Sequence, residues 1–163
     1  MSDSTPPIPP PVGSPEADAA RAEAVTASEE ADKRGAQANA KRQDDSAAYN
    51  EAFALWQQRK DVILAANPQH YEQCYLALIA ALIHLTDMRA FVETGFDHME
   101  LADSDLRDGD ALAEPPTMPK VMTYMSAKAH YTAAKQTYDM AIAEHPIIVS
   151  QLEIANSILV LYG

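Results

Sequence analysis

Apolar residues recur every three or four positions along most of the chain, and the stripe they form changes from one segment to the next. From Glu16 to about Gln43 the apolar positions are almost all alanine, which makes a narrow seam. Ahead of it, Ser14-Pro15-Glu16 provides a serine cap, a proline in the first turn and an acidic residue near the helix N-terminus. We therefore predict an alanine-rich helical arm over residues 15–45.

A wider apolar stripe starts at Ser46 and predicts a compact bundle of about four helices over residues 46–163. Its first helix is expected to end at Asn67-Pro68. The next helix, from Pro68 to Thr94, is apolar nearly all round at LALIAALIHL, which is typical of the buried centre of a bundle. The residues expected in the core are Phe53, Trp56, Leu78, Leu82 and Tyr138.

Beyond this helix the sequence predicts an acidic loop followed by a helical tail. Residues 100–119 combine several carboxylates with prolines, so we interpret them as a solvated loop. A further apolar stripe begins at Pro119, and Pro146 separates it from IIVSQLEIANSILVLYG. The β-branched residues of that tail would suit a strand, but its helical spacing favours a helix. The predicted fold class is all-α, with a long N-terminal alanine-rich helix followed by a small helical bundle.

The tail also contains a repeat-like pattern, made by Tyr131, Ala134, Tyr138, Ala141 and Pro146. This is the spacing of the second helix of a tetratricopeptide repeat, in which small residues let two antiparallel helices approach and the proline begins the next helix. Residues 118–163 therefore resemble one tetratricopeptide-like helical hairpin, which implies a protein-binding module. The alternative is a single amphipathic helix over residues 119–145.

Composition and charge exclude several classes of function. The 163 residues carry a net charge of −12, and such a surface repels phosphate, so we expect no nucleic-acid partner. The N-terminus has no basic segment followed by an apolar one, so no secretory signal is expected. The longest strongly apolar run, residues 75–85, is too short for a membrane span. We therefore expect a protein of the cytoplasm, or of a virion or other large particle.

Candidate chemical sites are few. The segment DSDLRDGDALAE, residues 103–114, has acidic residues at three calcium-loop positions, but Arg107 and the late Gly109 oppose a cation. His70 and Cys74 lie one helical turn apart, and two ligands alone do not make a metal site. Glycine-rich phosphate loops and serine elbows do not occur. We expect no catalytic residues, no cofactor and no metal.

These observations favour a non-catalytic structural or assembly protein that docks, in several copies, with protein partners in a virion or comparable particle. The proline-rich head, residues 1–14, cannot fold alone, and an alanine seam buries little area, so both would be ordered by a partner. A soluble helical adaptor or chaperone that binds a partner helix is the alternative, and an unrecognised small enzyme is a second one. The predicted partner-binding residues are Ala17, Ala20, Ala24, Ala27 and Ala31.

Overall fold

The computed structural model describes residues 14–163, which form three long α-helices that pack side by side. They are α1 (Pro15–Ala66), α2 (Pro68–Ala111) and α3 (Thr117–Leu159), and a short 3-10 helix, Val160–Tyr162, ends the chain. At about 1.5 Å per residue the three helices are roughly 65 to 80 Å long, so the bundle is a rod. The all-α prediction is confirmed, with three α-helices in the described part of the chain where an arm helix and about four more helices were expected.

Capping residues set the helix ends and the direction of the chain. The Ser14 hydroxyl accepts a hydrogen bond from the Ala17 amide at 3.2 Å and starts α1. Asn67 alone separates α1 from α2, and its side chain accepts hydrogen bonds from the Gln69 and His70 amides. Because Asn67 is extended, α2 turns back antiparallel to α1, and α3 turns again to run parallel to α1. The amide of Asn67 donates to the Ile63 carbonyl and closes the last turn of α1.

The buried positions of the three helices follow a seven-residue repeat. Such a repeat keeps one seam of each helix facing its neighbours in a left-handed supercoil. On α1 the seam is mostly alanine, on α2 it mixes small and large residues, and on α3 it begins with three tyrosines. The seam residues are Ala17, Ala24, Ala31, Ala38, Asp45 and Ala52 on α1, Cys74, Ala81, Met88, Gly95, Ala102 and Gly109 on α2, and Tyr124, Tyr131, Tyr138, Leu152 and Leu159 on α3.

The tyrosines of α3 occupy space left by small residues on the other two helices. The ring of Tyr138 lies between Gly35 of α1 and Gly95 of α2. A Cβ atom added at Gly95 would lie 2.3 Å from the ring, and one added at Gly35 would lie 2.9 Å from it. The ring of Tyr124 fits against Gly109 in the same way. Small residues on the buried faces of α1 and α2 are therefore matched by large aromatic side chains on α3.

The predicted boundary between an arm and a bundle is wrong. Helix α1 continues without interruption across residues 45 and 46, and its alanines belong to the same buried core as α2 and α3. The sequence predicts that the small alanine side chains bury too little area to hold α1 against its own chain, but the large α3 tyrosines fill the space beside them. Apart from Ser14, the proline-rich head lies outside the described residues.

The predicted acidic loop at residues 100–119 is largely helical. Helix α2 continues to Ala111, and only residues 112–116 connect it to α3. Two of its carboxylates accept short hydrogen bonds from α3, since the hydroxyl of Tyr131 donates to Asp103 and that of Tyr124 donates to Asp110, each at 2.5 Å. The acidic segment is therefore part of the folded bundle, which its charge alone did not indicate.

The tetratricopeptide-like hairpin is also absent from the structure of residues 118–163. Helix α3 passes without a turn through residues 128–130 and through Pro146, so the alternative of one continuous helix over residues 119–145 is correct and extends to Leu159. Tyr131, Ala134 and Tyr138 are buried between α1 and α2. Residues 118–163 do not form a separate first helix of a hairpin against which these side chains could pack. The repeat-like spacing reflects the packing of small against aromatic residues.

Candidate partner-binding groove

The residues predicted for the core divide into two groups. Trp56, Leu78 and Tyr138 are buried. Phe53 and Leu82 are 39% and 40% exposed, so their assignment to the core is wrong. A bundle of three helices buries one face of each helix, and no further helix covers the outer face of α1 or α2 in the described residues. The nearly uniform apolar run in α2 therefore has an open side.

The predicted partner-binding alanines do not form a binding surface. Four of them are buried within the chain's own bundle, and the fifth is partly buried against the same core. Because methyl groups that contact α2 and α3 cannot also contact another protein, this prediction is wrong. The buried four are Ala17, Ala20, Ala24 and Ala31, and the partly buried one is Ala27.

Large apolar side chains are exposed on α2 instead. Leu76 and Ile83 are 54% and 55% exposed, and they lie seven residues apart on the side of the helix that faces away from the core. Tyr75 and Leu82 precede them by one residue each and are also exposed. Single exposed apolar residues are ordinary on a protein surface, but this set lies within two and a half turns of one helix.

A second exposed row lies on α3, formed by Met140, Ile147, Ile154 and Leu161 with the final 3-10 turn. These four residues are 40–65% exposed and are spaced seven apart. The core of α3 uses a different line of the helix, which includes Ile148, Leu152 and Leu159. Helix α3 thus carries an outward row of apolar residues at heptad spacing, in addition to the residues that face the core.

The two exposed rows lie on the outer faces of α2 and α3, on either side of the contact between these helices. A contact of 2.6 Å between His84 Nδ1 and Glu144 Oε2 joins α2 to α3 at the edge of the core. Ile147 lies one turn after Glu144 on the same side of α3, and Ile83 lies on the outer face of α2 next to the edge that carries His84. We call this surface the α2–α3 groove and define it by Leu76, Ile83, Met140, Ile147 and Ile154.

The charge around the α2–α3 groove has one sign. Residues 68–88 of α2 and residues 136–163, which include the end of α3, contain no lysine or arginine. The same two segments contain acidic residues on both helices, so the rim of the groove is negative. Of these, Asp87 and Glu144 lie where α2 meets α3, whereas Asp139 contacts Arg34 of α1 at 3.0 Å.

Length and composition alone would allow α2 to cross a membrane, and among the described residues it is the one helix of which this is true. Its most apolar window of 18 residues has a mean hydropathy of 1.5, and a third of that window is buried in the bundle. A core helix of a bundle with an apolar outer face has the same length and composition. This finding agrees with the exposed apolar row on α2.

Burial raises the pKa values of three tyrosines and of the cysteine of the core. Burial, reinforced by the Asp110 and Asp103 carboxylates, raises the pKa of Tyr124 and of Tyr131 to about 12. Burial also raises the pKa of Tyr138 to about 12 and that of the Cys74 thiol to about 11. These hydroxyl and thiol groups are therefore packing and hydrogen-bonding elements, with no feature that activates them as nucleophiles.

Two further polar contacts join helices of the bundle. Asp45, the buried charged residue of the α1 seam, accepts from His145 Nδ1 of α3 at 2.8 Å. At one end of the rod, Arg21 of α1 contacts Asp110 of α2 at 2.8 Å and lowers the pKa of that carboxyl by hydrogen bonding. Both pairs tie α1 to its neighbours.

The candidate metal-binding patterns of the sequence are not brought together. His70 Nδ1 contacts the Tyr162 hydroxyl at 2.7 Å, whereas the Cys74 thiol is buried and donates to the Ala155 carbonyl at 3.7 Å. Residues 103–111 are helical and therefore lack the shape of a calcium loop.

Sequence reasoning missed the α2–α3 groove, although a signal for it was present. Met140, Ile147, Ile154 and Leu161 form a complete second heptad row that the core of α3 does not need. In comparisons with known proteins, no family model, no curated protein and no solved structure matches this chain.

Proposed function

We propose that the chain is a non-catalytic helical adaptor that holds an amphipathic partner helix in the α2–α3 groove. The observation that carries this proposal is the outward heptad row of α3 beside the exposed residues of α2. A helix laid between α2 and α3 would cover both rows and complete a four-helix arrangement, as amphipathic helices do when they enter grooves. This proposal corresponds to the helical adaptor that was the alternative to a structural or assembly protein, with the docking surface moved from the arm to the groove.

The charge of the rim specifies the chemistry of the partner. A helix with apolar residues at heptad spacing and lysine or arginine beside them would pair with Asp87 and Glu144. A second copy of this chain, docked through the same groove, would place acidic rim against acidic rim. An anionic membrane surface would be repelled for the same reason. The favoured occupant is therefore a basic amphipathic helix of another protein.

The expected affinity is moderate. Fully burying a large apolar side chain contributes about 1.5–3 kcal/mol, and about half of each groove residue remains to be buried, which leaves roughly 1 kcal/mol for each. Association costs at least about 4 kcal/mol in lost freedom, so the apolar row alone gives weak binding and the charged rim adds selectivity. Loss of one central apolar residue to a carboxylate should then weaken binding by about tenfold or more.

A pair of designed peptides tests the proposal. Both are helical and carry leucine at heptad spacing, and they differ only in having lysine or glutamate beside the leucines. We expect the lysine peptide to bind the full chain at least about tenfold more tightly than the glutamate peptide. Ile147→Glu should weaken binding of the lysine peptide by about tenfold or more, whereas Met118→Glu, an exposed substitution on α3 outside the groove, should leave its affinity unchanged.

Three results would overturn the proposal. The first is equal binding of the two peptides, and the second is equal weakening by the two substitutions. The third is a stronger interaction with anionic lipid vesicles than with the lysine peptide, which would identify the groove as a membrane-binding surface. Sedimentation of the chain alone tests the second copy, since self-association lost in Ile147→Glu would make the groove a homodimer interface.

A further inference from the structure

One imidazole and two carboxylates converge beside the contact of α2 with α3. His84 and Asp87 lie three residues apart on one face of α2, and Glu144 projects from α3 toward them. One ligand atom from each of the three, a ring nitrogen and two carboxylate oxygens, lies within 4.8 Å of the others. From this convergence we infer that His84, Asp87 and Glu144 bind a divalent transition-metal ion of the Zn²⁺ type.

The distances suit such an ion. Zn²⁺ lies about 2.0–2.1 Å from nitrogen and oxygen ligands, so two ligands of a tetrahedral site are about 3.4 Å apart. His84 Nδ1 and Glu144 Oε2 are now 2.6 Å apart and need to separate by less than about 1 Å. Asp87 is exposed and free to rotate toward them. The three protein ligands leave a fourth position for water or for a ligand from a bound protein.

The type of ligand selects the type of ion. An imidazole nitrogen suits Zn²⁺ and its transition-metal neighbours, whereas Mg²⁺ and Ca²⁺ prefer sites made of oxygen alone. The site is also held by rigid elements, because α2 and α3 pack against each other along their whole length. Glu144 is mostly shielded from solvent, its side chain being 17% exposed, so it is already positioned at the contact between the helices.

Two other histidines make similar contacts without a third ligand. His130 Nε2 lies 3.6 Å from Asp105, also between α3 and α2. His145 Nδ1 lies 2.8 Å from the buried Asp45. Among the described residues, His84, Asp87 and Glu144 are the one group in which the ligand atoms of a histidine and two carboxylates lie close enough together to hold a metal ion. His130 therefore provides a matched control on the same pair of helices.

Titration calorimetry with Zn²⁺ and the full chain, without any peptide, tests the inference. We expect saturable binding of one ion per chain. His84→Gln and Glu144→Gln should each weaken binding by at least about tenfold, as loss of even an outer-sphere partner can do at a metal site. His130→Gln should leave the affinity within about a factor of two, and excess Mg²⁺ should not compete.

Equal Zn²⁺ affinity in wild type and His84→Gln would overturn the inference, and so would full competition by Mg²⁺, which would show a diffuse acidic surface. Asp87→Asn guards against misfolded variants, since Asp87 is exposed and its replacement should leave the helical content unchanged while weakening Zn²⁺ binding. Because no peptide is used, failure here leaves the proposed adaptor function standing, and failure of the peptide test leaves the metal site standing.

Discussion

Replacement of Gly95 by alanine should destabilise the bundle, although the same change in an ordinary helix stabilises it. In a helix interior, alanine is favoured over glycine by about 1 kcal/mol. At Gly95 the new Cβ would lie 2.3 Å from Cε1 of Tyr138, and 2.7 and 2.8 Å from two further ring atoms. Ordinary contacts of this kind are longer by about 1 Å, so the ring or a helix must move.

The ring has little room to move away, because Gly35 closes its other side. A Cβ atom at Gly35 would already lie 2.9 Å from the ring, so α1 approaches it closely there. Overpacking of a core costs about 1–3 kcal/mol, and a ring enclosed on two sides belongs near the upper end of that range. After the gain in helix propensity, Gly95→Ala should lower the free energy of unfolding by about 2 kcal/mol.

Urea unfolding of a double-mutant cycle measures this effect separately from any general change in α2. In a Tyr138→Leu background the obstructing ring is gone, and Gly95→Ala should become stabilising by up to about 1 kcal/mol. The coupling free energy between the two positions should therefore be roughly 2–3 kcal/mol. A neutral or stabilising Gly95→Ala in the wild-type background would refute the reasoning, and so would an equal cost in both backgrounds.

The remaining predictions concern the buried tyrosines and the first half of α1. A folded-state pKa of about 12 for Tyr124, Tyr131 and Tyr138, against about 10 in the unfolded chain, means that their contribution to stability is complete below about pH 10 and is lost as the pH rises through about 12. Tyrosinate absorbance and helical circular dichroism should then change together near pH 12, and complete ionisation with helices retained by about pH 11 would contradict the assignment. Deletion of residues 1–45 should abolish cooperative unfolding, because it uncovers the α3 tyrosines. The free energy lost with their burial is comparable with the roughly 5–15 kcal/mol by which a typical domain is stable. A truncated chain with unchanged hydrogen exchange in α3 would show that the arm is separate after all.

The features that could be predicted from sequence are those that depend on local signals. Ser14 and Asn67 begin helices where their side chains can cap them, and the apolar periodicity correctly indicated an all-α chain. The errors arose where the outcome depends on residues far apart in sequence. The alanines of α1 are buried because Tyr131 and Tyr138 lie opposite them, about a hundred residues further along the chain.

The candidate site was less predictable than the fold. Phe53 and Leu82 are on apolar stripes, and a stripe shows which residues share a face without showing how many helices cover it. The cluster of His84, Asp87 and Glu144 could not be found from spacing either, because Glu144 is contributed by another helix. Its position opposite His84 depends on the register of α2 against α3. That register is a property of the whole bundle.

The buried contact between Asp45 and His145 fixes the register of α1, which could otherwise shift along the bundle. Ala17, Ala24, Ala31 and Ala38 present nearly identical surfaces, so a displacement of α1 by one heptad, about 10.5 Å, would keep much of the alanine seam in place. Such a shift would put Ala38 or Ala52 opposite His145 and leave Asp45 buried without its partner, a severe penalty for a charged group. It would also move Ser28 or Arg42 into the narrow gap that Gly35 leaves for the Tyr138 ring. One acid and one glycine thus select a single alignment from several that the repeated alanines would permit.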